Sequence, residues 1–180
     1  FATMILGDLG AEIIKIEPPS GDETRLWAPL LNNESVYFLS INRNKKSIVL
    51  DLKKEDAKEI VYKLVKESDV VIENFRSGVP ERLGIDYNTL KNIKNDIIYC
   101  SIKGFGSTSP YESKPSYDLL VQAMSGFMTV TGEKDSPPIR AAFALFDIIA
   151  GLIAVNSILA AIIERSRTGH GKFIEVSLYD

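Results

Sequence analysis

Apolar residues along this chain fall into short, β-branched runs and longer stripes of helical spacing. Ala11-Glu-Ile-Ile-Lys-Ile-Glu17, Ser47-Ile-Val-Leu-Asp-Leu52, Asp69-Val-Val-Ile-Glu73, Ile97-Ile-Tyr-Cys-Ser-Ile102 and Lys172-Phe-Ile-Glu-Val-Ser-Leu178 have the length and composition of strands. Between them, Ala57, Ile60, Val61, Leu64 and Val65 mark one face of a helix over 53–67. Shorter helices are predicted around 80–83 and 87–94, and a further one over 117–128. Residues 20–44, with Gly21, Pro29 and an Asn-rich stretch, read as loop. Strands alternating with helices predict an α/β fold, Rossmann-like and layered, with a mostly parallel sheet. In such sheets ligands gather beyond the carboxyl ends of the strands.

The longest apolar run spans residues 141–163 and contains a single charged residue, Asp147. A solitary carboxylate in such surroundings is costly unless it is paired, hydrogen-bonded or used. The run is long enough to cross a bilayer. The remainder of the chain is ordinary amphipathic material with a mean hydropathy near zero, which favours a core helix. Asp147 is then expected at the N-cap of a helix closing near Arg165 and Arg167, where backbone N–H groups and the helix dipole would keep it ionised.

With 180 residues, a net charge of −3 and 45% hydrophobic content, the chain is sized for one globular domain over 1–180. The acidic balance offers no footprint for nucleic acid. One Cys and one His exclude a disulfide framework and a standard Cys/His metal site, and Cys100 lies in a strand-like run as a core residue. A cytoplasmic location is expected, with no membrane partner. The opening Phe1-Ala-Thr-Met-Ile-Leu-Gly-Asp-Leu-Gly10 reads as the second half of a helix, as if cut from a longer protein.

Segments leaving the second, third and fourth strands carry Lys53, then Asn74, Phe75, Arg76 and Arg82, then Lys103 and Gly104. A basic, amide-rich rim suits a phosphorylated ligand, although each cation taken singly is also ordinary solvated surface. The glycine spacing fits neither the dinucleotide fingerprint nor the P-loop.

Gly7-Asp-Leu-Gly-Ala-Glu-Ile-Ile-Lys-Ile-Glu17, Asn42-Arg-Asn-Lys-Lys-Ser-Ile-Val-Leu-Asp-Leu-Lys53, Val70-Val-Ile-Glu-Asn-Phe75 and Glu81-Arg-Leu-Gly84 resemble the class III CoA-transferases. This superfamily holds formyl-CoA and crotonobetaine transferases and methylacyl-CoA racemases. Gly104-Phe-Gly106, Tyr117-Asp-Leu-Leu-Val-Gln-Ala123 and Arg165-Ser-Arg-Thr-Gly-His-Gly171 extend the resemblance along the whole chain. It implies the large domain of that fold, with the family's earliest residues and its second half absent, and an interlocked homodimer for the full-length protein. It implies no permanently bound cofactor; a coenzyme A thioester is the substrate and a small carboxylic acid the partner. By the same resemblance Asp147 is the nucleophile, passing through an acyl anhydride and an aspartyl-CoA thioester. Leu50, Lys53, Asn74, Phe75 and Arg82 would line the CoA path, with Lys103 and Tyr117 as further candidates. An Arg that contacts the nucleotide in formyl-CoA transferase falls on Pro18, and a CoA-contacting Lys on Pro115, beside Lys114.

The racemase branch instead abstracts an α-proton with a His and the counterpart of Asp147. Tyr117 occupies the position of that His, and the one His, His170, lies in a distant turn. A phenol with an ordinary pKa of about 10 is a poor base at neutral pH, so the resemblance favours acyl exchange. Tyr117 also reads simply as a half-buried aromatic opening a helix. A non-catalytic CoA-binding module and an inert fragment are the readings from other functional classes.

Overall fold

The computed structural model describes residues 1–180, which divide into two compact units, Phe1–Glu67 and Ser68–Asp180. In the first, helix α1 (Ala2–Asp8) is followed by β1 (Ile13–Glu17), which pairs in parallel with β4 (Lys45–Val49) from Ile13↔Lys45 to Glu17↔Val49. β4 begins two residues before the apolar run and stops at Val49. Leu50 therefore leaves the sheet, buried, with its N–H donated to the Glu17 carbonyl at 2.9 Å. Helix α3 (Glu55–Glu67) buries Ala57, Val61 and Val65 of the expected stripe, while Leu64 is half-buried and Ile60 exposed.

Residues 20–44 hold more structure than a loop. A 3-10 turn (Glu23–Leu26) precedes a two-stranded antiparallel hairpin, β2 (Leu30–Leu31) and β3 (Glu34–Ser35), and then helix α2 (Val36–Ile41). Asn32 and Asn33 make the hairpin turn with φ of 51° and 64°, a left-handed pair that Asn tolerates better than most residues. Ser35 then caps α2 by accepting the Phe38 N–H at 3.1 Å. Two-residue strands have no period to read, which explains why the sequence shows only a loop there.

The organising group of this segment is Glu17, 2% exposed at the end of β1. Its carboxylate accepts from Arg25 Nε at 3.0 Å and a terminal Arg25 nitrogen at 2.8 Å, from Ser47 Oγ at 2.8 Å and from the Asp22 N–H at 3.0 Å. Lys15 adds an ion pair at 3.2 Å. The Arg25 guanidinium in turn lies 4.0 Å from the centre of the Phe38 ring, tying α2 to the same point. Hydrogen bonding from Arg25 is the first cause holding the Glu17 pKa well below the ordinary carboxylate value.

The second unit is a βαβαβ arrangement. Strands β5 (Val70–Glu73), β6 (Ile98–Lys103) and β7 (Phe173–Ser177) form a parallel sheet in sequence order. The first crossover carries α4 (Val79–Leu83) and α5 (Tyr87–Ile93); the second carries α6 (Asp118–Met124) and α7 (Leu145–Thr168). Ile98, Tyr99, Cys100 and Ser101 are all buried in succession, which requires cover on both faces of β6. Tyr87 of α5 packs against Tyr99 and Phe173, while α7 packs on β6 and β7.

By length and composition alone, the 24 residues of α7 could cross a membrane. Its buried stripe, Ala150, Gly151, Ala154, Val155, Ile158 and Ala161, has the spacing of a helix lying on another element, and its small residues permit close approach. Gly169, in the left-handed region at φ 71°, ends the helix by donating to the Arg165 carbonyl. The Arg165 side chain reaches the carbonyls of Asp69 and Asp96 and pairs with the Asp69 carboxylate at 2.6 Å. This end of α7 therefore sits at the amino edge of the sheet, just before β5 and β6.

Replacing Glu17 with Ala is expected to cost about 2 kcal/mol, less than a fully buried pair because Arg25 is half-exposed. A double-mutant cycle with Arg25→Ala, read from urea midpoints, should show losses that are not additive. A carboxyl whose folded pKa lies below its unfolded value stabilises fully above the unfolded pKa of ~4.3. That contribution disappears as pH falls toward the folded value, and a Glu17→Gln variant should lack this acid sensitivity.

Candidate active site at the carboxyl edge of the second unit

Helix α7 runs from the carboxyl edge of the sheet back to its amino edge. At about 1.5 Å per residue, Asp147 in the first turn lies about 27 Å from Arg165, at the end where parallel sheets receive ligands. Exposed His170 follows α7 at the opposite end, so the one imidazole of the chain is remote from Asp147.

Asp147 is not the N-cap. The helix starts at Leu145 with Ala144 as its cap residue, which offers no side-chain acceptor. Asp118, the first residue of α6, closes the helix end instead. Its Oδ1 accepts the N–H of Phe146 at 2.7 Å and that of Asp147 at 3.3 Å. Gln122, 1% exposed, donates to Asp118 Oδ2 and to the Phe143 carbonyl and accepts the Ala141 N–H at 2.7 Å. Phe146 packs edge-on against Phe127. A carboxylate from α6 thus does the capping, and the Asp147 side chain stays out of its own helix end.

This reverses the electrostatic expectation. Rather than being held ionised, Asp147 has its pKa raised, first by loss of water around the carboxyl and second by the negative charge of Asp118. Asp118 is the candidate-site residue that sequence reasoning passes over. Its one visible signal was adjacency to Tyr117 at a helix start, and nothing local shows that it serves a helix 28 residues away.

Tyr117 occupies the N-cap position of α6 in extended conformation, 71% exposed and not half-buried. Its place is fixed through Gly104: a Cβ there would lie 1.5 Å from Ser116 Oγ and 2.3 Å from Ser116 Cβ. That contact brings the segment before Tyr117 against the end of β6. The adjoining turn is anchored by Glu175, which accepts the Ser107 N–H at 2.8 Å, by Asp180, which accepts the Gly106 N–H at 3.2 Å, and by buried Phe105.

Asn74, Phe75, Arg76 and Arg82 are exposed on the turn after β5 and on α4, available to a ligand as the rim reading requires. Lys103, at the end of β6, is not free: its Nζ donates to the Phe75 carbonyl at 3.0 Å, and its side chain is 14% exposed. Leu50 and Lys53 belong to the first unit, Leu50 buried after β4 and Lys53 exposed in the turn before α3. Among all residues no group of three or more His, Cys, Asp or Glu could hold a metal ion. Cys100 is fully buried, and burial pushes its thiol up to about 12, as a core residue should behave.

Residues 1–180 match the profile of CoA-transferase family III throughout. The chain belongs to this family. It is 47% identical over 180 residues to the succinyl-CoA:glutarate CoA-transferase of Mus musculus, covering 99% of this chain and 41% of that protein. It is likewise 47% identical over 182 residues to the acetyl-CoA:oxalate CoA-transferase of Acetobacter aceti, covering 100% of this chain and 47% of that one. A crystal structure of a CAIB/BAIF family protein from Brucella suis superposes with a TM-score of 0.95 at 44% identity, over 99% of this chain and 49% of its own. The chain thus spans about half the length of the family III proteins it matches.

Two outcomes test the geometry. Asp118→Asn keeps an acceptor for the α7 N–H groups but removes the neighbouring charge, so the Asp147 pKa should fall. A carboxylate is nucleophilic only when ionised, so the acid limb of any reaction found to depend on Asp147 should move to lower pH. Gly104→Ala must displace Ser116, and should lower stability by about 1–3 kcal/mol in thermal unfolding.

Proposed function

We propose that the full-length protein transfers coenzyme A from an acyl-CoA thioester to a free carboxylic acid, with Asp147 as nucleophile. The observation that carries this reading is the placement of Asp147 in the first turn of α7, at the carboxyl edge of the sheet, with its backbone N–H bound by Asp118 and its carboxyl partly withdrawn from water. The Asp147 carboxylate attacks the thioester carbonyl, forming an enzyme-acyl anhydride and expelling the CoA thiolate. The thiolate attacks the aspartyl carbonyl of the anhydride, releasing the first acid and leaving an aspartyl-CoA thioester. The incoming carboxylate repeats the two displacements in reverse, departs as the new acyl-CoA and regenerates Asp147. Dividing the exchange in this way lets one carboxylate serve both half-reactions.

Asn74, Phe75 and Arg82, on the turn after β5 and on α4, are proposed to contribute to the CoA path. The names of the similar transferases support a small dicarboxylic acid as acceptor, since glutarate and oxalate share that chemistry. A homodimer is proposed for the full-length protein. Exposed Ile149, Leu152, Ile153, Leu159 and Ile163 along α7 support further protein covering that helix.

The test is to incubate the full-length protein with an acyl-CoA and hydroxylamine. Hydroxylamine attacks the aspartyl thioester, releasing CoA and leaving a hydroxamate that mass spectrometry should place on Asp147. Acid-dependent CoA exchange that proceeds while Asp147 stays unmodified would refute the covalent route. Solvent deuterium entering the α-carbon without CoA exchange would point to the racemase chemistry instead.

A further inference from the structure

Glu73 ends β5 and Lys103 ends β6, two places beyond Ser101, the residue that pairs with Glu73 across the parallel ladder. Their side chains are 5% and 14% exposed, and Lys103 Nζ lies 3.5 Å from Glu73 Oε1. Both spend their remaining capacity on one peptide neighbourhood. Glu73 Oε2 accepts the Phe75 N–H at 2.6 Å, and Lys103 Nζ donates to the Phe75 carbonyl at 3.0 Å.

We infer that Glu73 and Lys103 form a two-sided clamp on the Phe75 backbone and act as positioning residues for the CoA-binding rim of Asn74, Phe75 and Arg76. A turn leaving a strand has few partners of its own, and here both polar groups of its central residue are fixed to the sheet by side chains. The three rim side chains stay exposed, so the clamp sets where they stand without competing for ligand. The arrangement is not one that stability alone selects. Glu73 Oε1 receives no hydrogen bond, and an ion pair taken from water contributes little net stability compared with apolar packing. What it does supply is a fixed direction for the turn, and a rim held in place before the ligand arrives binds it more tightly than one that must be ordered on binding. Lys103 therefore acts on coenzyme A through the backbone of Phe75, not by touching a phosphate.

This inference rests on the CoA-transfer reading for its kinetic consequence, and on the chain's own geometry for its structural one. In the full-length protein, Lys103→Met should raise KM for acyl-CoA roughly tenfold while kcat and KM for the acid change little. Lys103→Arg, which can still reach the carbonyl and the carboxylate, should restore most of the affinity. Hydrogen exchange at the Phe75 amide should accelerate in Glu73→Ala and in Lys103→Met. An unchanged KM for acyl-CoA, or one that follows loss of thermal stability and is not recovered by arginine, would overturn the clamp. So would unaltered Phe75 exchange. If the wild-type protein forms no hydroxamate at Asp147, the transfer reading falls on its own, and the exchange measurement still decides whether the clamp exists.

Discussion

A helix begins with N–H groups that no residue inside it can satisfy, and α7 begins without a local cap. The Asp118 carboxylate resolves this from a different helix, and the candidate site depends on that single tertiary contact. It fixes where α7 starts, and so which residue occupies its first exposed turn. It joins α6 to α7, with Gln122 extending the join to the backbone at Ala141 and Phe143. It also sets two carboxylates side by side, so the placement and the electrostatics of Asp147 have one origin.

That coupling bears on nucleophilicity. A carboxylate wrapped in N–H donors is strongly stabilised as an anion and correspondingly reluctant to attack. Here the donors at the helix start are taken by Asp118, and Asp147 keeps a less stabilised, more basic anion. The helix cap and the proposed nucleophile, which a single N-cap aspartate would have combined, are two residues.

Much of this was legible in sequence, and the failures share a cause. The strands β1, β5, β6 and β7 and the buried stripe of α3 followed directly from period and composition. Asp147 stood out because a charge in an apolar run is visible without any structure. What escaped were relations between distant residues: Asp118 capping a helix 28 positions on, or Lys103 reaching the carbonyl of Phe75. Reading Asp147 as its own N-cap applied a sound local rule where a remote side chain had already taken the position. The hairpin and α2 escaped for the opposite reason, being too short to carry a period. Lys103 resembles a ligand contact in sequence because charge at a strand end is visible, whereas its commitment to the backbone is not.

The lone thiol of Cys100 sits at the centre of β6, fully buried and far from ionised at neutral pH. Thiol-alkylating reagents can reach it only when the layer covering its face of the sheet lifts away. Its rate of alkylation is therefore an internal clock for the uncovering of the strand whose far end carries Lys103. One unmodified thiol thus makes the breathing of this layer measurable within residues 1–180.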